Sequence, residues 1–419
     1  MKVLWFSNTP ASGAEFLQSG KLGGGWLSAL DKALSDKCEL HIAFKYPKYS
    51  VDFNYNGVYY HPVCKKNYKW HFIKNTLLGE FTDQEDLPKY LELINSIHPD
   101  IIHINGTENP FGCIVDKVEI PVVVSIQGNI TVYFHKFLSG FARKYLSIPE
   151  FKFKRIIDFP YYRSFNKNYE EFAKMRDREI RNLKNVKFVI GRTDWDRRIT
   201  RVLAPQSNYF RSEEMLRESF YHQSRKPEKH DKLVIHTTNG NSPYKGFETL
   251  CSSLALLNKL GYDIEWRVAG IKNEDLIVKV VKKLLGKQYP EKGLMLLGAL
   301  NEEKLVEKLL EADLYVMPSH IENSPNNLCE AMILGLPCIA SYAGGTGSIL
   351  KDGEEGILIQ DGDPWVLAGA ILELLNNPEK AIDLGMKARE RALKRHNREN
   401  IVDSLLDIYT TIIKHGKKD

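Results

Sequence analysis

Read for the alternation of apolar and polar positions, the chain falls into short β-branched and aromatic runs separated by stretches of helical period. In the first half the runs KVLWFS, ELHIAF, DIIHIN, PVVVSIQ and VKFVIG predict strands. Between them WLSALDKALSDK and LPKYLELINSIHP predict amphipathic helices. A polar, irregular stretch then breaks the rhythm, RSEEMLRESFYHQSRKPEKHDK, with Pro227 among clustered charges. Alternation restarts with LVIHTT, IEWRVAG, GLMLLG, DLYVMP and PCIAS. Strands that alternate with helices build parallel sheets, so an α/β chain of two successive doubly wound domains is expected. The N-terminal domain is placed at 1–205, a linker at 206–230 and the C-terminal domain at 231–395. Ligands of such sheets bind beyond the carboxyl ends of the strands, so a cleft between two facing domains is the expected site.

Composition supports this division. A chain of 419 residues suits two domains of about 200 residues each, and 43% hydrophobic with 26% charged residues is a globular balance. No apolar run approaches the roughly 18 residues of a membrane span, and MKVLWFSNTPASGAEF lacks the apolar stretch of a signal peptide. The six cysteines are scattered without a C-x-x-C pair, which argues against a zinc site or a disulfide framework and for a reducing compartment. A cytoplasmic protein is expected.

The net charge of +5 is unevenly spread. Residues 133–187 hold 14 Lys or Arg against 6 Asp or Glu, together with 13 Phe or Tyr. One reading packs the aromatic stems inward and leaves basic heads in water. The other makes the segment an anionic-acceptor surface, or an anionic membrane surface contact on the inner face of the plasma membrane.

Four loops carry candidate chemistry. GKLGGGWLSAL places Gly23, Gly24 and Gly25 before a helix, where a backbone can approach an anion closely. TTNGNSPYKGFETL places Lys245 at a helix entrance, within reach of a diphosphate. In ENSPNNLCE, Ser324 suits an N-cap and Pro325 the first helical position. Gly335 and Pro337 then stop a helix over 325–334. The N–H groups of Asn326, Asn327 and Leu328 head that helix, where a phosphate is favoured. Glu330 lies too deep for a capping box, so capping explains neither Glu322 nor Glu330. SYAGGTGSILKDGEEGIL adds Gly344, Gly345 and Gly347 after the next strand.

The stretch ENSPNNLCEAMILGLPCIASYAGGTGSILKDGEEGILI resembles the donor-binding region of the retaining GT-B glycosyltransferases of family GT4. Glu322 and Glu330 have the family's E-x7-E spacing; Gly335 to Pro337, Gly344–Gly345 and Asp352 to Gly356 match its G-x-P turn, Gly-Gly loop and DG-x-x-G stretch. The likeness is strong over about 233–413 and diffuse before it. It implies a GT-B fold, two Rossmann-like doubly wound domains facing a central cleft, with a C-terminal helix (396–419) crossing back to the N-terminal domain. It also implies that Glu330 holds the ribose hydroxyls and Glu322 contacts the transferred sugar. Asn326 to Leu328 and Lys245 would then bind the diphosphate, approached by Gly24 and Gly25 from the other domain, with Gly344 and Gly345 also lining the donor.

The implied function is a retaining, metal-independent glycosyltransferase with no cofactor beyond a UDP- or GDP-sugar donor. Its acceptor would be a glycan or a lipid-linked saccharide of bacterial surface polysaccharide synthesis, and nucleic acid is not an expected partner. Departures from the family are the lack of an Arg before Lys245, Gln127 where a His is common, and Ser348 where a Glu is usual. Gln127 can bind a sugar hydroxyl but cannot carry a proton. His103 and Glu108 end another strand and are candidates for an acceptor-side role, whereas Asp194 and Asp196 read as helix caps. Other readings are a sugar-nucleotide epimerase or hydrolase of the same fold, and a non-catalytic partner subunit, which both retained glutamates argue against. A nicotinamide dehydrogenase would need a G-x-G-x-x-G with an acid about 20 positions on, which is absent.

Overall fold

The computed structural model describes residues 1–17, 25–46, 51–64, 85–148, 150–153, 160–226 and 232–416. The chain divides into two compact units. One comprises Met1–Thr131, Ala173–Arg217 and His396–Asp419, and the other Val132–Phe172 with Glu218–Arg395.

The first unit is built on an eight-stranded sheet. Its strand order is Asn208–Arg211, Phe188–Gly191, Val122–Ser125, Ile101–Asn105, Lys2–Ser7, Glu39–Tyr46, Val58–Cys64 and Phe53–Tyr55. All pairs are parallel except the last, which is antiparallel. The five predicted runs are present, and the outer strands are additions. Asn56 and Gly57, both at positive φ, make the tight turn between Phe53–Tyr55 and Val58–Cys64. Pro62 sits in the second of these, past the antiparallel stretch that ends at Tyr60, where it withholds no needed N–H. Such a proline weakens a strand signal read from sequence alone.

Successive residues of Lys2–Ser7 point to opposite faces of this sheet. Val3 and Trp5 pack with Leu27 and Leu34 of the helix Gly25–Leu34 and with Ile401, Leu405 and Ile412 of the final helix Arg398–Gly416. Leu4 and Phe6 pack on the other face with Tyr90 and Ile94 of the helix Leu87–Ile97. The chain therefore returns to its first unit at the end, as the crossing helix requires. Polar contacts lock it there. The buried Tyr409 hydroxyl accepts from Trp5 Nε1 at 2.9 Å and donates to His103 Nδ1 at 2.6 Å, and His103 Nε2 meets Ser125 Oγ at 2.5 Å.

The second unit has six parallel strands in the order Leu294–Gly298, Ile264–Ala269, Leu233–Thr238, Leu314–Met317, Cys338–Ser341 and Ile357–Ile359. Residues 132–172, expected within the N-terminal domain, cluster with this unit instead. Phe137, Phe141 and Phe165 are buried in one core with Phe247, Leu250 and Trp266, and burying three phenyl rings outweighs the segment's place in the chain order. The expected linker at 206–230 is also partly structured, since Asn208–Arg211 joins the first sheet and Met215, Leu216 and Phe220 are buried.

Tyr409→Phe should destabilise the protein by about 1–3 kcal/mol, because it strands the Trp5 N–H and the His103 Nδ1 in the core. Urea unfolding measures this; an unchanged midpoint would show that the final helix is held by apolar packing alone.

Candidate functional site

In the second sheet the strand order reverses between Leu233–Thr238 and Leu314–Met317. Loops leaving adjacent strand ends diverge there, which opens a crevice suited to ligands. The loops are residues 239–246 and 318–325, and they are laced together. His320 N donates to Tyr244 O at 2.8 Å, and Lys245 Nζ lies 2.6 Å from Glu322 Oε1. Gly246 has φ +69°, and a Cβ there would stand 1.9 Å from Pro318 O. Only glycine permits that approach. From the next strand end, Gly345 N donates to Glu322 O at 2.8 Å. A Cβ on Gly344 (φ +59°) would lie 2.0 Å from the same carbonyl oxygen. The backbone of Glu322 is thus gripped by the Gly-Gly loop, and its side chain by Lys245.

The Lys245–Glu322 pair is largely buried, with the carboxylate side chain 6% exposed. Burial acts to lower the Lys245 pKa, but the Glu322 charge and hydrogen bond outweigh it and leave it raised. Lys245 therefore stays a cation. Removing one partner of a buried pair leaves an uncompensated charge.

The helix beyond Glu322 runs Asn326–Ile333, one residue later than expected at its start. Pro325 stands at the cap position with extended backbone, and Ser324 does not cap. The proline ring fixes φ but supplies no acceptor for the first-turn N–H groups. Asn327 Nδ2 donates to Thr238 O at 2.8 Å, pinning the helix head to the first strand of this sheet. Ser324 Oγ and Asn326 Oδ1 are buried and have no hydrogen-bond partner among the described residues. Glu330 lies one turn after Asn326 on the same face, and its side chain is buried. The structure thus brings Lys245, Glu322, Asn326, Asn327, Leu328, Gly344 and Gly345 to neighbouring strand ends, with Glu330 one turn along the helix.

A second polar cluster braces these loops, and sequence reading missed it. Buried His320, two residues before Glu322, holds Glu248 Oε1 at 2.6 Å through Nε2, and Asp361 Oδ2 lies 3.5 Å from Nδ1. Lys136 Nζ lies 3.5 Å from the same Asp361 oxygen. A Cβ on Gly140 would come within 2.3 Å of Glu248 Oε1, so that glycine seats directly on the carboxylate. Burial tends to lower the His320 pKa, but the Glu248 hydrogen bond and the charges of Glu248 and Asp361 raise it overall. No sequence signal links these positions, which lie on separate loops and two helices.

In the first unit the predicted residues do not form one group. Gly24 lies outside the described residues. Gly25 opens its helix at φ +36°, exposed, with nothing near its missing Cβ. In the helix that Gly25 opens, Asp31 accepts from Ser12 N, Ser12 Oγ and Tyr60 Oη. Gln127 follows the strand Val122–Ser125 and is half-buried. His103 corrects an expectation: both ring nitrogens are engaged inside the unit, and burial, with the nearby Arg192 charge, depresses its pKa to about 3. A neutral interior imidazole cannot serve an acceptor. Glu108 instead meets Asn8 Nδ2 at 2.8 Å, and Asn8 Oδ1 accepts from Asn109 Nδ2 at 2.6 Å. Those residues follow the adjacent strands Lys2–Ser7 and Ile101–Asn105, the reversal point of the first sheet. Asp196 completes a capping box with Thr193, as its position suggested.

Two outcomes follow. Lys245→Met should cost roughly 3 kcal/mol, the lower end for breaking a buried pair, measured by urea unfolding; a neutral result would contradict a stabilising role for the pair. Because the His320 pKa is raised in the folded state, its contribution is full below its ordinary value of 6.5 and fades as pH rises through the raised value. The melting-temperature gap between wild type and His320→Gln should therefore narrow from pH 5.5 to pH 9. A gap that widens with pH would contradict the network.

Comparison with known proteins gives this crevice a context. Residues 220–391 match the family described as glycosyl transferases group 1. Over 141 residues, 34% of this chain and 35% of the relative, the sequence is 30% identical to N-acetyl-alpha-D-glucosaminyl L-malate synthase of Bacillus anthracis. Over 188 residues, 45% of this chain and 48% of the relative, it is 25% identical to phosphatidyl-myo-inositol mannosyltransferase of Mycobacterium leprae. The matched segment thus spans less than half of either curated relative. Among solved structures, sucrose-phosphate synthase of Thermosynechococcus elongatus superposes with a TM-score of 0.71 at 16% identity, over 99% of both chains. HepE of Anabaena, solved with UDP and glucose, does so with a TM-score of 0.64 at 15% identity, over 98% of this chain and 99% of its own. The chain has the GT-B fold of these solved structures, and residues 220–391 match the glycosyl transferases group 1.

Proposed function

We propose that the protein is a retaining glycosyltransferase that moves a sugar from a nucleotide-diphosphate donor to a glycan or lipid-linked acceptor in bacterial surface polysaccharide synthesis. The observation that carries this reading is the buried Lys245–Glu322 pair, 2.6 Å apart, beside a helix head with orphaned polar groups. Breaking an anomeric C–O bond builds negative charge on the departing diphosphate and positive charge on the sugar. Lys245 and the N–H groups of Asn326 to Leu328 suit the first charge, and the Glu322 carboxylate suits the second. Such fixed charges do the work of a divalent ion, which supports a metal-independent reaction.

Glu330, one turn into the helix, is assigned to the ribose hydroxyls. Gly344 and Gly345 hold the Glu322 backbone in place and leave room for the sugar. The donor is a UDP- or GDP-sugar; the UDP and glucose bound in the HepE crystal favour uridine. The named relatives are a synthase and a mannosyltransferase, which supports transfer over epimerisation or hydrolysis. Among the described residues no helix is long and apolar enough to cross a membrane. We infer a cytoplasmic enzyme that meets its acceptor at the inner face of the plasma membrane. Phe137, Phe141 and Phe165 turn inward, so an anionic partner would meet exposed basic side chains such as Arg143 and Lys144.

Thermal shift against UDP- and GDP-sugars, followed by kinetics on two variants, tests the assignment. Glu330→Ala should weaken donor affinity by roughly 10- to 100-fold, the worth of hydrogen bonds to a charged group. Glu322→Gln should leave donor affinity within a few-fold and lower kcat. Indifference of the wild type to every donor would refute the transferase reading, and an unchanged donor affinity in Glu330→Ala would refute the ribose assignment.

A further inference from the structure

The segment 132–172 carries a cavity of about 500 Å³ lined by Arg143, Lys144, Ser147, Asn166, Tyr169 and Glu170. That volume accommodates one or two sugar rings. Arg143 and Lys144 are exposed, and neither has an acidic partner among the described residues. Arg143 lies over the Tyr169 ring at 5.9 Å, and the one carboxylate of the lining, Glu170, is exposed. Two unpaired cations, an aromatic face and the polar groups of Ser147 and Asn166 form a concave surface for a hydroxylated anion. A flat lipid headgroup layer would not use the concavity.

The cavity is also tied to the reaction site within the same unit. Tyr169 stacks on Phe134 at 4.5 Å and lies 6.0 Å from Phe137. Phe137 lies 5.9 Å from Tyr244, and the Tyr244 ring lies 5.5 Å from Lys245 Nζ. Lys245 in turn holds Glu322. Packed interiors have low compressibility and transmit strain, so this run of rings couples the cavity mechanically to Lys245 and Glu322.

We propose that this cavity is an acceptor subsite for an acidic sugar or sugar phosphate, whose carboxylate or phosphate is held by Arg143 and Lys144. The proposal rests on the transferase reading, and its test separates the two. Affinities of the full chain are measured for a galacturonate hexamer, a glycerol-phosphate hexamer, the carboxyl-reduced neutral hexamer and a UDP-sugar. The doubly reversed variant Arg143→Glu/Lys144→Glu should bind at least one anionic hexamer about tenfold more weakly than wild type, as expected for two lost charge-assisted contacts. Donor affinity should not change, and the neutral hexamer should bind both proteins equally. The control Lys259→Glu/Lys292→Glu, with the same change in net charge on another surface, should behave as wild type. Equal losses in the two double variants, or no binding of either anionic hexamer to wild type, would overturn the subsite. So would binding to phosphatidylglycerol vesicles that depends on Arg143 and Lys144 while neither hexamer binds. Failure of every nucleotide sugar to bind wild type would instead overturn the transferase reading.

Discussion

A carboxylate and an ammonium held 2.6 Å apart and mostly out of water are costly to assemble, and much of the second unit serves to hold them. Glu322 cannot swing away, because its carbonyl oxygen is bound by Gly345 N and crowded by the Gly344 backbone. The backbone on either side of Lys245 is held, because Gly246 is wedged against Pro318 O and Tyr244 O accepts from His320 N. These constraints are backbone contacts at strand ends, so they inherit the precision of the parallel sheet beneath. The pair is preorganised before any ligand arrives, the condition under which fixed charges lower a barrier most.

The same loops also join the second unit's less regular part. His320, Glu248, Asp361 and Lys136 connect the segment 132–172 to the Glu322 loop by charge, and the ladder from Tyr169 to Tyr244 connects it by packing. A segment that reads as a solvated basic insertion therefore contributes Phe137, Phe141 and Phe165 to the second unit's core, with Arg143 and Lys144 exposed.

Much of this was legible in the order of residues. Strands buried on both faces announce themselves as continuous apolar runs, and every such run is a strand. The crevice was legible because glycines and a helix start recur at strand ends, at Gly246, Gly344 and Asn326. What stayed hidden depends on partners far away in the chain. His103 reads as a strand-end candidate until Tyr409, 306 positions later, is seen to take its ring. Glu248 reads as an ordinary first-turn acid until His320 arrives beside it. Helix 326–333 begins one residue late because Pro325 takes the cap position that Ser324 was expected to fill. The aromatic spacing of residues 132–172 signals inward packing but cannot say against which core.

The central claim is that the crevice between the ends of strands Leu233–Thr238 and Leu314–Met317 binds a nucleotide-diphosphate sugar. A crystal structure of the protein soaked with UDP-glucose and GDP-mannose in turn tests it most directly. The expected density has the diphosphate at the N–H groups of Asn326 to Leu328 beside Lys245, the ribose at Glu330 and the sugar at Glu322. A nucleotide bound elsewhere, or one whose ribose avoids Glu330 while its phosphates avoid Lys245, would contradict it.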